Sequence, residues 1–350
     1  GDVYKRQVMM EIYNMIIIQI AGGLGNQLQQ YALYQKFRSL GAEAKLDLSW
    51  FEQFEDTDRE LNNKEQNQEQ NKDDHRANKT KPAIKQDIVV TNRQCELDFF
   101  NHLPYESCTE EERTALTGSQ GLAGKLRRKL LPQTVHWYKE RKMYDPELLH
   151  YREMYLSGYF ACEKYYADIL PELRKMIRFP EIADAQERMA NEKILKEIQN
   201  SHAVSVHIRR GDYLQPENAA MFGNICTEEY YESALDYMKE KIEDSHFFIF
   251  SDDVAYVREH YQGEEYTIVD INHGDDSFYD MYLMSRCEGN ICANSTFSFW
   301  GARLNARTDK IMIRPTIQKN SQVFDEAQMK DLWENWIFID PQGNRYGLCK

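Results

Sequence analysis

Short apolar runs alternate with amphipathic stretches along most of this chain, and the alternation is clearest in its second half. Near the start, Met15 to Ile20 is an apolar run that ends in "AGGLGNQ". Beyond it Leu33, Phe37 and Leu40 recur at helical spacing before Gly41, so the pattern predicts strand, glycine-rich turn, helix. "AEAKLDL" offers a second strand. From Glu52 to Gln86 the chain is almost wholly polar and charged, and it lacks the apolar surface needed to order itself; it reads as a mobile surface insertion. Aromatic and basic residues mix without clear repeats from Gln94 to Phe179, apart from a strand pattern at "MYLSGYF" and one helix over "CEKYYADILPELRKMI".

Past "RFPEIAD" a helix carrying Ile194, Leu195 and Ile198 opens a regular regime. Strand-like "AVSVHI", "FFIF", "YTIVDI", "NICA" and "KIMI" are separated by helix-like "TEEYYESALDYMKEKI", "DDVAYVREHY", "DSFYDMYLMSRC" and "STFSFWGARL". Such alternation predicts an α/β fold with a parallel sheet wrapped by helices. The polar segments "HIRRGDY", "SDD", "NHGDD" and "ANSTFS" each follow a predicted strand, the edge at which open parallel sheets bind ligands. The expected organisation is a first domain over 15–180 holding the polar insertion at 52–86, and a second over 181–350. Residues 1–14, including "GDVYKRQ", are set aside as a non-native or disordered start.

Composition narrows the classes of partner. At 350 residues and 42% hydrophobic the chain can bury large cores. A formal net charge of −14 argues against a general nucleic-acid binder, so any anionic ligand must meet a local basic site. Seven scattered cysteines without a CxxC pair argue against a disulfide framework or a structural zinc, and point to a reducing cytoplasm. No apolar run reaches the roughly 20 residues of a membrane span.

Candidate chemistry gathers in the strand-end segments. In "VSVHIRR" the pleat puts Val204, Val206 and Ile208 on one face and Ser205, His207 and Arg209 on the other. Arg209 and Arg210 leave the sheet together. Adjacent guanidiniums suit a diphosphate, and the competing reading is a set of salt bridges to Asp212 or other carboxylates. "ANSTFSFWGARL" opens a helix at Asn294 or Ser295, where free N–H groups and the hydroxyls of Ser295, Thr296 and Ser298 could hold phosphate. The alternative is an ordinary capped helix. "AGGLGNQ" is neither a dinucleotide fingerprint nor a P-loop, yet Gly25 allows close backbone approach and Asn26 and Gln27 supply amide donors. Asp252 and Asp253 could accept hydrogen bonds from a guanine or ribose, or cap the next helix. Neither reads as a metal ligand, because no His or further acid stands at ligand spacing.

Together these segments resemble the bacterial α-1,2-fucosyltransferases of glycosyltransferase family 11. "GGLGNQ" with "QYAL", "YLSGYF" with "EKYY", "HIRRGDY", "FSDD" and "CANSTFSFWGARL" occur in family order and spacing from Ile16 to about Leu304. Two positions depart from the family: Gln29 stands where an aromatic residue is usual, and "SFW" replaces "SWW".

The resemblance implies a GT-B architecture, two Rossmann-like domains facing across a cleft. It implies inverting transfer of fucose from GDP-fucose to the 2-OH of galactose in a glycan acceptor, with no metal or other cofactor. By the same resemblance Arg209 and Arg210 hold the donor diphosphate, and His207 with Asp252 or Asp253 lies near the guanosine. Asn294, Ser295 and Thr296 lie at the phosphates, and Asn26 and Gly25 across the cleft. Asp212 is the first candidate for catalytic base and Glu217 the second; Trp137, Tyr138 and Tyr144 are aromatic candidates for the acceptor side. Transfer from another GDP-sugar, its hydrolysis, and nucleotide binding by a degenerate site are the alternatives. Nucleic acid is not an expected partner, and peripheral membrane association is left open.

Overall fold

A computed structural model describes residues 15–52, 94–118 and 136–347, with isolated positions 126, 129 and 130 and without the side chains of 217 and 275. The expected start at 1–14 and nearly all of the expected insertion lie outside the described residues. The described residues form two sheets. The first has four parallel strands, β1 (Met15–Gln19), β2 (Glu43–Asp47), β3 (Trp137–Lys139) and β4 (Met154–Ser157), in the order β2-β1-β4-β3. The second runs β11-β10-β9-β8-β5-β6-β7, from β5 (His202–Ile208), β6 (Ser245–Ser251), β7 (Tyr266–Val269), β8 (Gly289–Ile291), β9 (Ile311–Pro315), β10 (Trp336–Ile339) and β11 (Arg345–Tyr346). Among the described residues only the β10–β11 pair is antiparallel. This is the expected α/β, GT-B arrangement.

Both faces of the second sheet are covered, as its nearly continuous apolar strands require. Val204, Val206, Ile208, Phe247 and Ile249 pack under Tyr230, Ala234 and Met238 of the helix Glu228–Lys241. The opposite face sets Ala203, Phe248 and Phe250 against Ile194 and Ile198 of the helix Ala185–Gln199. The largest core runs without interruption from β1 through the helix Leu24–Ser39 to Phe299, Trp300 and Ala302 of the helix Thr296–Leu304, so the two sheets share one apolar interior.

Strand order matters more for function than strand count. In the first sheet it reverses between β1 and β4; in the second it reverses between β5 and β8. Loops leaving adjacent strands in opposite directions open a crevice at such switch points. The segments that follow β1, β4, β5 and β8 are "AGGLGNQ", "GYFAC", "RRGDY" and "ANS".

Several expectations need correction. The single helix over "CEKYYADILPELRKMI" is broken into 3-10 turns at Glu163–Tyr165 and Ala167–Ile169 and a short helix Leu170–Met176. Pro171 lies in the first turn of that last helix, where its missing N–H costs nothing, and it could not continue a longer one. Leu40 lies past the end of its helix and is exposed rather than buried. The helix Leu24–Ser39 is also buried nearly all round, glutamines included, instead of along one stripe. Strands β3, β10 and β11 and the helix Glu326–Leu332 had no expectation attached.

Candidate active site

Arg209 and Arg210 leave β5 together, but their surroundings set them apart. Both terminal nitrogens of Arg209 are engaged, Nη2 with Asp212 at 2.7 Å and Nη1 with Asp252 at 2.9 Å. Arg210 uses only Nε, which donates to Asp253 at 3.0 Å. Its guanidinium stacks 3.6 Å from the ring centre of Tyr256, and its Nη1 and Nη2 meet no acceptor among the described residues. The salt-bridge reading therefore describes Arg209, whereas Arg210 keeps two outer donors, the arrangement an anion would use. Stacking on Tyr256 holds the fork still without using its outer nitrogens.

The two aspartates after β6 divide their work. Asp253 caps the helix Val254–His260, accepting from the Tyr256 N–H at 3.1 Å; the hydrogen bond from Arg210 first, and this cap second, hold its carboxyl below the usual range. Asp252 accepts from the backbone N–H of Arg210 at 2.8 Å while pairing with Arg209. Gly211 makes this possible: a Cβ there would lie 2.4 Å from Asp252 Oδ2. His207 is buried against Phe297, with ring centres 5.8 Å apart, and its Nδ1 has no hydrogen-bond partner among the described residues. Burial, together with the nearby Arg209, pulls its pKa down to about 4, so the imidazole is neutral at pH 7.

Asn294 has a structural task. Its Nδ2 donates to the carbonyls of Phe222 and Gln318, and Cys226 Sγ faces its Oδ1. Ser295 stands at the N-cap of the helix Thr296–Leu304 without a side-chain cap bond. Ser298 instead donates to the Ser295 carbonyl. The glycine-rich turn of the first sheet meets this helix start directly. A Cβ on Gly25 would lie 2.4 Å from Thr296 C and 2.5 Å from Phe297 N, which only a glycine permits. Asn26 follows, its amide beside Gly22.

The fourth expected loop, "NHGDD", is used differently. Asn272 exchanges hydrogen bonds with Asn191 and donates to Asp280, fastening the helices Ala185–Gln199 and Tyr279–Met284. It is a buried polar post.

A cavity of about 400 Å³ opens beside the arginines, lined in part by Tyr213, Phe222, Glu228, Tyr231 and Tyr256. Trp137, Tyr138 and Tyr144 are packed: Trp137 donates to Ser157, Tyr138 donates to Asp145 and Tyr144 lies on Tyr165. Glu217's side chain is outside the described set. Tyr256 was missed in the sequence, though its place three residues after a capping Asp is a signal that it shares a face with the helix start. Tyr159 and Glu140 were also missed.

The family model described as "Glycosyl transferase family 11" matches residues 139–340. Among curated proteins, the chain is 39% identical over 118 residues to the O-antigen biosynthesis glycosyltransferase WbnK of Escherichia coli, covering 33% of this chain and 39% of that one. It is 36% identical over 163 residues to an Escherichia coli alpha-1,2-colitosyltransferase, covering 45% and 54%. It is 25% identical over 188 residues to the galactoside 2-alpha-L-fucosyltransferase Sec1 of Mus musculus, covering 53% and 50%. The aligned stretches thus span about half or less of these relatives. Among solved structures, POFUT1 in complex with GDP aligns over 86% of this chain and 98% of its own at 13% identity, with a TM-score of 0.40. With more than half of its length matched by the family model, the chain belongs to glycosyl transferase family 11.

Proposed function

We propose that this chain transfers L-fucose from GDP-fucose to the 2-OH of a galactose residue in a glycan acceptor, with inversion at the anomeric carbon. One observation supports this above the rest: the outer nitrogens of Arg210, after β5, and the uncapped start of the helix Thr296–Leu304, after β8, flank one switch point, and that helix start packs on Gly25 of the other. Backbone N–H groups and a guanidinium at the ends of two adjacent strands suit a diphosphate. In the reaction the acceptor oxygen bonds to the anomeric carbon as the bond to the β-phosphate oxygen breaks. The hydroxyl proton passes to a base, and negative charge grows on GDP, where Arg210 and the helix start would meet it.

In this reading the neutral His207 and Asp252 lie at the guanosine, and Arg209 shapes the loop. Asp212 is then better suited to positioning Arg209 than to taking the proton. Asp212→Asn is expected to weaken GDP binding by up to about fivefold, the scale of a half-exposed ion pair, and to reduce transfer by a similar factor. Calorimetric GDP titration beside initial rates tests this. A hundredfold loss of transfer at unchanged GDP affinity would instead make Asp212 the base.

The similarity to an alpha-1,2-colitosyltransferase favours a second reading, with colitose in place of fucose on the donor. A panel of GDP-fucose, GDP-mannose and GDP-colitose, each offered with galactosides and followed by mass spectrometry with linkage analysis, decides between them. The expected result is transfer from GDP-fucose, unchanged in EDTA because this reading requires no metal. GDP release without glycosylated product would point to hydrolysis, and GDP binding with no turnover to a degenerate site. We place the reaction in the cytoplasm; the six described cysteines are free, and no described helix is long and apolar enough to cross a membrane.

A further inference from the structure

The segment after β4 is held with unusual thoroughness for one that exposes an aromatic ring. Tyr159 is 51% exposed although its backbone is fixed on every side. The Glu140 carboxylate accepts from its N–H at 2.7 Å and from the N–H of Phe160 at 3.1 Å, and Phe160 takes a positive φ of 49°. Two fully buried glutamines of the helix Leu24–Ser39 bind the carbonyls: Gln30 Nε2 to Gly158 at 2.8 Å and Gln29 Nε2 to Tyr159 at 3.3 Å. Gly158 has no side chain because a Cβ would meet that of Glu140 at 2.4 Å.

The ring itself stands at the switch point of the first sheet. A Cβ on Gly22 would lie 3.4 Å from Tyr159 Cε1 and 2.8 Å from Asn26 Nδ2, so the ring and the amide flank one glycine at the mouth of the crevice. Exposing a large aromatic costs burial that folding would otherwise gain, and buried polar groups are being spent to keep it there. A flat, immobilised ring with an amide beside it suits a pyranose, which offers an apolar C–H face and hydroxyls at its rim.

We propose that Tyr159 is the platform on which the acceptor galactose stacks, with Asn26 at its edge and Glu140 as the residue that positions it. The proposal rests on the transferase reading above and names its acceptor subsite.

The test uses the full chain with GDP-fucose and the best acceptor from lactose, methyl β-galactoside and β1,3-linked galactosyl-hexosamines. Tyr159→Ala is expected to raise acceptor KM about tenfold, the scale of a lost aromatic contact. Donor KM, GDP affinity and melting temperature should stay unchanged, and Tyr159→Phe should remain within about threefold of wild type. Glu140→Gln should give part of the same KM shift and add little on top of Tyr159→Ala, because it acts through the ring. Unchanged acceptor KM in Tyr159→Ala, or a shift in donor KM instead, overturns the subsite while leaving GDP binding intact. A wild-type protein that does not bind GDP overturns the transferase reading beneath it. Binding of GDP without transfer to any of these galactosides overturns galactose as the occupant.

Discussion

Arg210→Ala is expected to lower the rate of sugar transfer by about a hundredfold or more, with little change in folding. Removing one positioned donor from a developing oxyanion costs roughly 3 to 4 kcal/mol where the site excludes water, and Arg210 is the member of the pair with its outer nitrogens unspent. Stability should hold, because its one ion pair is half-exposed and pairs of that kind contribute little. Arg210→Lys should recover only a small part of the rate: an ammonium neither stacks flat on Tyr256 nor offers two parallel donors. Single-turnover rates at saturating GDP-fucose, with circular dichroism as the folding control, make the measurement. Near-normal transfer by a folded Arg210→Ala protein would remove the anion-facing role.

What could be read without coordinates was the chemistry of each strand end; what could not was which ends adjoin. "HIRRGDY" and "NSTFS" stand out as polar segments after apolar runs, yet their adjacency depends on β8 pairing with β5, a long-range choice no local pattern encodes. The roles of Arg209 and Arg210 could not be separated either, since that depends on where Asp212, Asp252, Asp253 and Tyr256 fall around them. The first sheet was harder. Its third strand, Trp137–Lys139, is too short for alternation to register, and the helix after β1 hides its burial behind polar letters. Gln27, Gln29 and Gln30 look like a solvent face, but each is buried and bonded to the turns around it. Gln29, the departure from an aromatic residue, makes chemical sense once Arg303 is seen beside its Oε1 at 3.5 Å.

Arg303→Leu is expected to destabilise the protein by about 3 kcal/mol or more, the cost of leaving a buried partner charge uncompensated. Arg303 is 1% exposed and donates from Nε to Glu163 at 2.8 Å, while its other nitrogens reach the Ala161 carbonyl at 3.3 Å and Gln29. Trp336 also donates to Glu163, so the pair joins the segment after β4, the first long helix and the second sheet in one knot. A second buried guanidinium, Arg314, packs against Phe299 and Trp333 and keeps some positive potential near Glu163, which sets the expectation toward the lower end of the usual range. Urea unfolding should show the loss in midpoint. The double variant Arg303→Leu with Glu163→Leu should recover part of it, since a matched apolar pair carries no stranded charge; strict additivity would deny that the two act as a pair. The consequence reaches the site. Arg303 belongs to the same helix whose first turn meets Gly25, and it holds the carbonyl of Ala161 two residues past Tyr159. GDP affinity and acceptor KM should therefore both worsen in Arg303→Leu, whereas Arg210→Ala is expected to change the donor side alone and Tyr159→Ala the acceptor side alone.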